Sequence, residues 1–482
     1  MLFNSFEFLV FLPVVFLLYW FVFRERRWQN MLVVVASYIF YGWWDWRFLL
    51  LIVLTSVFSY TSGLLLEHFE GRRRWQQVVS TANIVLNLGI LATFKYYNFF
   101  VENLQEVLGL MGYHLDWVTM DIILPVGISF YTFQALSYAI DVYQRKIPAT
   151  HDIVEFFAYI SFFPQLVAGP IERATNLLPQ FQKDRHFDYG KAVDGLRQIL
   201  WGLFKKVFVA DNCAAAVNNY WDSYPEMSGL SLLILGILFT FQIYCDFSGY
   251  SDIAIGTARL FGIHLMRNFA FPYFSRSIPE FWRRWHISLM TWFRDYIYFP
   301  LGGSRCAQWK VIRNTFIVFF ISGLWHGANW TFVCWGVYHA CLIALFILLG
   351  INTKEKDVVA KGKWLPSLKE FGQMAMTFVL VIIGWIIFRA ENMTQAYDFL
   401  SRMFVTLFDD YHIAVGNARK DLAYGTVLLL VEWLQRDKQH ALQLPETGWL
   451  KYAWTRYAIY AAIAYTIFMY AGEVQTFIYF QF

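Results

Sequence analysis

Apolar runs long enough to cross a bilayer recur from one end of this chain to the other, and this decides most of what it can fold into. A helix needs about 20 apolar residues, with a range of about 17 to 25, to span the hydrocarbon core. Runs that reach or approach this length occupy residues 7–23, 31–44, 48–66, 77–95, 122–143, 193–212, 229–246, 313–326, 330–350, 371–388, 423–434 and 456–471. The runs 31–44, 313–326 and 423–434 are short, which calls for little tilt or a locally thinned membrane. Of the 482 residues 58% are hydrophobic and only 15% charged, so a water-soluble fold has nowhere to hide this surface. The expectation is an all-α, polytopic transmembrane helical protein of about 10–13 spans, one membrane-embedded domain over residues 1–482. The run Phe8 to Phe23 has no basic residues before it and no small-residue cleavage site after it, so it is expected to be a retained span.

The charges between the runs predict an orientation, because short loops rich in Lys and Arg stay in the cytoplasm. Arg24, Arg26 and Arg27 follow the first run, Arg72 to Arg74 the third, and Arg145 and Lys146 the fifth. These alternate with 101–121, which carries Glu102, Glu106, Asp116 and Asp121 and no Lys or Arg, and with 216–230, also free of basic residues. The alternation puts the N-terminus outside and the loop Lys354 to Lys369 inside. Two regions depart from simple crossings. Phe156 to Pro170 is apolar but broken by Pro164, Gly169 and Pro170, which suggests a re-entrant or interfacial segment. Residues 247–312 are charged and interrupted by Pro272, Pro279 and Pro300.

Composition excludes several function classes. Cys213, Cys245, Cys306, Cys334 and Cys341 are odd in number and lack CxxC spacing, so neither a disulfide framework nor a zinc knuckle is indicated. The net charge of +4 is spread over short clusters, and no nucleic-acid partner is expected.

Ionisable side chains inside apolar runs are costly, about 2.5 to 3.5 kcal/mol each on insertion scales, and each is a functional candidate. His326 stands in Gly323-Leu324-Trp325-His326-Gly327 at the end of one run and just before another. Gly323 and Gly327 allow a helix break or a close helix contact that opens the imidazole to a cavity; the competing reading is a histidine hydrogen-bonded to a neighbouring carbonyl. His286 stands in Arg283-Arg284-Trp285-His286. At helical spacing Phe281, Trp285, Ser288, Trp292 and Tyr296 make one stripe, with Arg283, Arg284 and Arg294 elsewhere on the helix. An interfacial helix with its arginines on lipid phosphates explains that pattern without requiring the histidine. His339 is expected to be a packed histidine. No HxxxH or HExxH spacing supports a metal site at His286, His326 and His339. Asp246, Ser248, Tyr250 and Asp252 follow run 229–246 and either line a cavity or cap a helix.

The segments Arg283-Arg284-Trp285-His286 and Trp325-His326-Gly327, with their histidines 326 − 286 = 40 residues apart, resemble the membrane-bound O-acyltransferase family, within it the alginate O-acetylation branch. Met1-Leu2-Phe3-Asn4-Ser5, Phe40-Tyr41-Gly42-Trp43, Pro125-Val126-Gly127-Ile128-Ser129-Phe130, Phe163-Pro164-Gln165, Ala168-Gly169-Pro170-Ile171 and Asp246-Phe247-Ser248-Gly249-Tyr250-Ser251-Asp252 are similar in the same order, up to about residue 400. The resemblance implies re-entrant and interfacial helices around a central tunnel, with an acyl donor entering from the cytoplasmic side and an acceptor from outside. His326 matches the family's essential histidine. His286 matches the second polar residue of the pair, asparagine or aspartate in other branches.

A neutral imidazole with an unperturbed pKa near 6.5 suits proton abstraction from an attacking hydroxyl, which makes His326 the expected general base. His286 is then expected to orient the donor carbonyl or stabilise charge on it, with Arg283, Arg284 and Arg294 available for donor phosphates. No resident cofactor is expected; the donor is acetyl-CoA or a related acyl thioester. The implied partners are an exopolysaccharide or cell-surface glycan acceptor, an extracytoplasmic acetyltransferase and membrane lipid, at the cell inner (cytoplasmic) membrane. The rival readings are a transporter or flippase of a lipid-linked sugar or solute, and a scaffold that only recruits an acetyltransferase.

Overall fold

In a computed structural model of the chain the described residues are 1–113, 119–120, 122–167, 169–351, 357–409, 413–416, 418–445, 447–472 and 475–478. Asp116 and Asp121 of the acidic stretch, Ala168 and Lys354 lie outside them. The structure is helical, with no strand among the described residues. Five stretches are long and apolar enough to cross a membrane: Arg26–His68, Arg73–Leu110, Gly229–Leu260, Trp330–Leu348 and Leu368–Arg389. The chain divides into two compact units, Met1–Ala192 with Thr257–Met266, and Val193–Gly256 with Arg267–Phe482.

The first unit contains α1 (Phe6–Leu17), α2 (Arg26–Asp45), α3 (Leu49–His68), α4 (Arg73–Leu110), α5 (Ile128–Tyr143), α6 (Ile153–Ser161), α7 (Phe163–Leu166), α8 (Ala174–Phe181) and the start of α9 (Tyr189–Leu203). At 1.5 Å per residue the 38 residues of α4 extend about 57 Å, beyond the thickness of a bilayer core. The apolar run 77–95 marks only its middle. Run 122–143 is helical only from Ile128, because Gly127 holds the left-handed conformation (φ 74°) with the Leu166 carbonyl against the position of a Cβ. The stretch 156–170 forms α6 and α7, whose buried residues include Phe156, Tyr159, Phe163 and Gln165. The Asp152 side chain caps α6, and the Phe163 N–H donates to Ser37 Oγ across to α2 (3.0 Å). Buried Glu172, just beyond, accepts from Met266 N (2.5 Å) and Asn176 Nδ2 (2.6 Å).

The second unit contains the rest of α9, a wider π-type turn at Phe204–Ala210, α10 (Asp211–Tyr220), α11 (Gly229–Leu260, to Gly256), α12 (Ile278–Arg284), α13 (Ile287–Phe293), α14 (Gln308–His326), α15 (Trp330–Leu348), α16 (Leu368–Arg389), α17 (Met393–Val405), α18 (Ala418–Leu434) and α19 (Ala453–Met469). α14 and α15 pack tightly because Gly323 brings its backbone against Phe332, and Gly336 against Phe319. Gly327, with extended backbone (φ −169°), ends α14, and the Asn329 side chain accepts from Thr331 N to start α15. This reversal fixes His326 at a helix end.

α11 does not stop at residue 246, as the fall in hydropathy suggests, but runs on to Leu260. Asp246, Ser248, Tyr250 and Asp252 are therefore not caps. Lys206 Nζ pairs with Asp246 and with Asp211, each at 2.8 Å. Lys205 Nζ pairs with Asp252 at 2.5 Å and donates to Ser248 Oγ at 2.9 Å. Both lysines belong to the π-type turn, a geometry that often marks functional positions. The Ile478 N–H donates to the second oxygen of Asp246 (2.6 Å).

Candidate active site

The stripe Phe281 to Tyr296 is not one helix. Ser277 caps α12, whose last residues Arg283 and Arg284 lead into extended Trp285 (φ −101°, ψ 130°) and then His286 at φ 44°. His286 thus starts α13 from the left-handed region, which costs a non-glycine residue roughly 1–2 kcal/mol. Residues held that way are over-represented at functional sites. The strained turn is held by a facing strip of chain: Ala270 N donates to Arg284 O and Ile287 N to Asn268 O, both at 2.9 Å.

His286 is 1% exposed and His326 3%. The ring of Trp325 lies edge-on to both, with centroids 5.7 Å from His286 and 4.9 Å from His326. Trp335 continues the series, 5.0 Å from His326 and 5.3 Å from His339. Imidazole and indole rings therefore alternate along one buried row, His286, Trp325, His326, Trp335, His339. Phe247 closes on His286 from α11 (4.7 Å), Phe388 on His326 from α16 (5.3 Å), and Trp282 on His339 from α12 (5.0 Å). Burial in this apolar shell lowers the pKa of His286, because the imidazolium would be desolvated there, and keeps its ring neutral. His339 is packed and 1% exposed, yet it belongs to the same row as the two candidate histidines. Among the described residues no His, Cys, Asp and Glu cluster has the makings of a metal site.

The three arginines separate. Arg283 and Arg294 line a cavity of about 490 Å³, together with Trp282, Ile287, Thr291 and Phe319. Trp282 and Phe319 also pack on His339, so the cavity reaches the shell of the histidine row without being lined by the histidines. Arg294 is half-exposed and pairs with Asp295 at 2.8 Å. Arg284 is taken up elsewhere. It pairs with Glu280 at 2.9 Å and donates to Ala270 O at 3.2 Å, while Arg276 holds the other Glu280 oxygen at 3.0 Å. Burial opposes ionisation of Glu280, but its bonds to Arg276 and the nearby Arg284 charge prevail and lower its pKa. Arg284 thus braces the turn that carries His286.

Three features of the site do not appear in the sequence expectations. Asn268 meets His286 Nδ1 with its side-chain oxygen at 3.1 Å. Glu280 organises Arg276 and Arg284. Lys205 and Lys206 sit inside the run 193–212, where the rule that singles out ionisable groups in apolar runs applies to them as well. Asn268 and Glu280 have no such signal, because their roles are created by tertiary contacts.

The model of the MBOAT, membrane-bound O-acyltransferase family, matches residues 38–355. A probable alginate O-acetylase AlgI from Pseudomonas aeruginosa is 42% identical over 405 residues, 84% of this chain and 75% of that protein. A peptidoglycan O-acetyltransferase from Helicobacter pylori is 30% identical over 531 residues, covering all of this chain and 98% of that protein. A teichoic acid D-alanyltransferase from Bacillus subtilis is 28% identical over 288 residues, 55% of this chain and 69% of that protein.

Proposed function

The chain belongs to the membrane-bound O-acyltransferase family, and from that premise we propose that it takes an acetyl group from acetyl-CoA or a related thioester at the cytoplasmic face and passes it across the membrane. The acceptor is an exopolysaccharide or cell-surface glycan, reached directly or through an extracytoplasmic acetyltransferase that carries the group onward. The relatives' names supply the range of acceptors, alginate and peptidoglycan for acetyl groups and teichoic acid for D-alanyl. The membrane is the cell inner membrane, with the N-terminus outside and the basic loops in the cytoplasm.

The observation that carries this proposal is the buried row of rings holding His286 and His326 in an apolar shell. In the proposed reaction His326 takes the proton of the acceptor hydroxyl as its oxygen bonds to the acyl carbon. The carbon–sulfur bond then breaks, and the imidazolium returns the proton to the departing thiolate, so protons and charge balance. Exclusion of water protects the acyl group from hydrolysis along the way. Arg283 and Arg294, at the rim of the 490 Å³ cavity, are assigned to the donor's phosphates.

His326→Ala is the deciding variant. Loss of a general base should lower acyl transfer on the order of 10²- to 10⁴-fold while the protein still inserts and accumulates. Near-normal surface acetylation in cells that hold the variant at wild-type levels would overturn the assignment.

A further inference from the structure

We propose that Asn268 is a positioning residue that locks His286 as the Nδ1–H tautomer, so that Nε2 meets, as a hydrogen acceptor, a second hydroxyl of the glycan acceptor beside the one His326 deprotonates. The inference rests on the acyltransferase reading for the identity of that hydroxyl, but not for the tautomer. Four contacts carry it. The Asn268 side chain donates from Nδ2 to Ser251 Oγ at 3.0 Å. Its Oδ1 accepts from the Ser288 backbone N–H at 3.3 Å and from Ser288 Oγ at 2.9 Å. A backbone N–H can only donate, so the atom of Asn268 that faces it is the oxygen and not the amide nitrogen. That same oxygen lies 3.1 Å from His286 Nδ1. An amide oxygen only accepts, so Nδ1 must carry the hydrogen.

In a neutral imidazole with the proton on Nδ1, the other ring nitrogen, Nε2, holds a lone pair and no hydrogen. Nε2 of His286 is buried and has no hydrogen-bond partner. A buried polar atom left unsatisfied is destabilising, a cost recovered when a donor arrives. A glycan acceptor brings such a donor in a hydroxyl next to the one that is acylated. The neutral ring has no hydrogen on Nε2 to offer a carbonyl oxygen, so its part is to receive from that second hydroxyl and not to stabilise charge on the donor's carbonyl. Asn268 also explains how the strained backbone at φ 44° persists. Its main-chain oxygen holds Ile287 N and its side chain holds Ser288 N, fixing the two residues after His286.

The test is ¹⁵N NMR of the full-length protein in lipid nanodiscs with ¹⁵N-labelled histidine, where His286→Asn identifies the His286 signals and the two tautomers have distinct shifts. The wild type should show protonated Nδ1 and unprotonated Nε2 at His286. Asn268→Asp, which keeps an acceptor oxygen, should preserve that tautomer. Asn268→Leu should lose it and lower kcat about 10- to 100-fold. A wild-type spectrum with the proton on Nε2, or an Asn268→Leu protein with unchanged tautomer and rate, would overturn the proposal. If Asn268→Leu does not accumulate, the wild-type and Asn268→Asp spectra decide the matter alone. The spectra need no turnover: the expected tautomers in a protein that consumes no thioester would uphold the role of Asn268 and count against acyl transfer.

Discussion

The imidazole of His339 points its Nε2 at the backbone of Gly384, so closely that a methyl group built on that glycine would lie 2.8 Å away. α15 and α16 therefore meet through a histidine fitted over a missing side chain, and the last ring of the buried row has no room to move. Gly384→Ala should push His339 against Trp335 and Trp282. Overpacking of this kind costs about 1–3 kcal/mol. We expect a lower melting temperature of the purified protein together with reduced acyl transfer. A variant that melts and turns over like wild type would show that His339 has slack the close packing denies.

Substitution of His286 separates a backbone effect from a chemical one. Asn tolerates the left-handed region far better than Ala, and its amide oxygen can accept a hydrogen bond in place of Nε2. His286→Asn should therefore retain part of the activity at normal protein levels, and His286→Ala should lose most of it. Equal inactivity of two well-expressed variants would mean that the imidazole exchanges a proton and does not merely accept a hydrogen bond. Full activity in His286→Ala would remove it from the site.

Lys206 has two buried carboxylate partners, and removing it strands both Asp211 and Asp246. Breaking a buried pair from one side costs about 3–5 kcal/mol. Lys206→Met should fail to accumulate, whereas Lys206→Met combined with Asp246→Asn should recover part of the loss, since one fewer charge is left alone. Expression and melting of the two single variants and the double variant measure the coupling. Strict additivity would show that the pair does not interact as the geometry demands.

Orientation is checked by single cysteines at Arg73 and Leu110, both exposed at opposite ends of α4, in a background lacking exposed Cys341. With the basic loop inside, a membrane-impermeant thiol reagent should label residue 110 and not residue 73 in intact cells. Labelling of residue 73 from outside would invert the topology and, with it, the face proposed for the thioester donor.

Helices were legible where apolar residues follow one another, and their ends were not. Run 229–246 stops at Asp246 although α11 continues to Leu260, because hydropathy counts Asp246 and Asp252 as polar without knowing that Lys206 and Lys205 lie against them. α17 escaped notice because Met393–Val405 is amphipathic, with only one face buried. His286 and His326 stood out as ionisable groups in apolar surroundings. The stripe Phe281 to Tyr296 misled, since a periodic pattern does not register one residue at φ 44° in its middle. Asn268 was silent for a different reason: an asparagine in a loop is ordinary until its oxygen is found facing a histidine eighteen residues away.

The paired lysines also bear on how the chain enters the membrane. Lys205 and Lys206 each add about 2.5–3.5 kcal/mol to the insertion of residues 193–212, enough to deny that segment independent passage from the translocon into lipid. Asp211 lies within the segment itself, but the carboxylates on α11 that complete the neutralisation, Asp246 and Asp252, are synthesised 246 − 206 = 40 and 252 − 205 = 47 residues later. At about 5–20 residues per second the segment waits roughly 2–8 s for the first of its counter-ions on α11. The two segments then leave together as a charge-compensated hairpin, so that biogenesis of this half of the protein is paced by the making of α11.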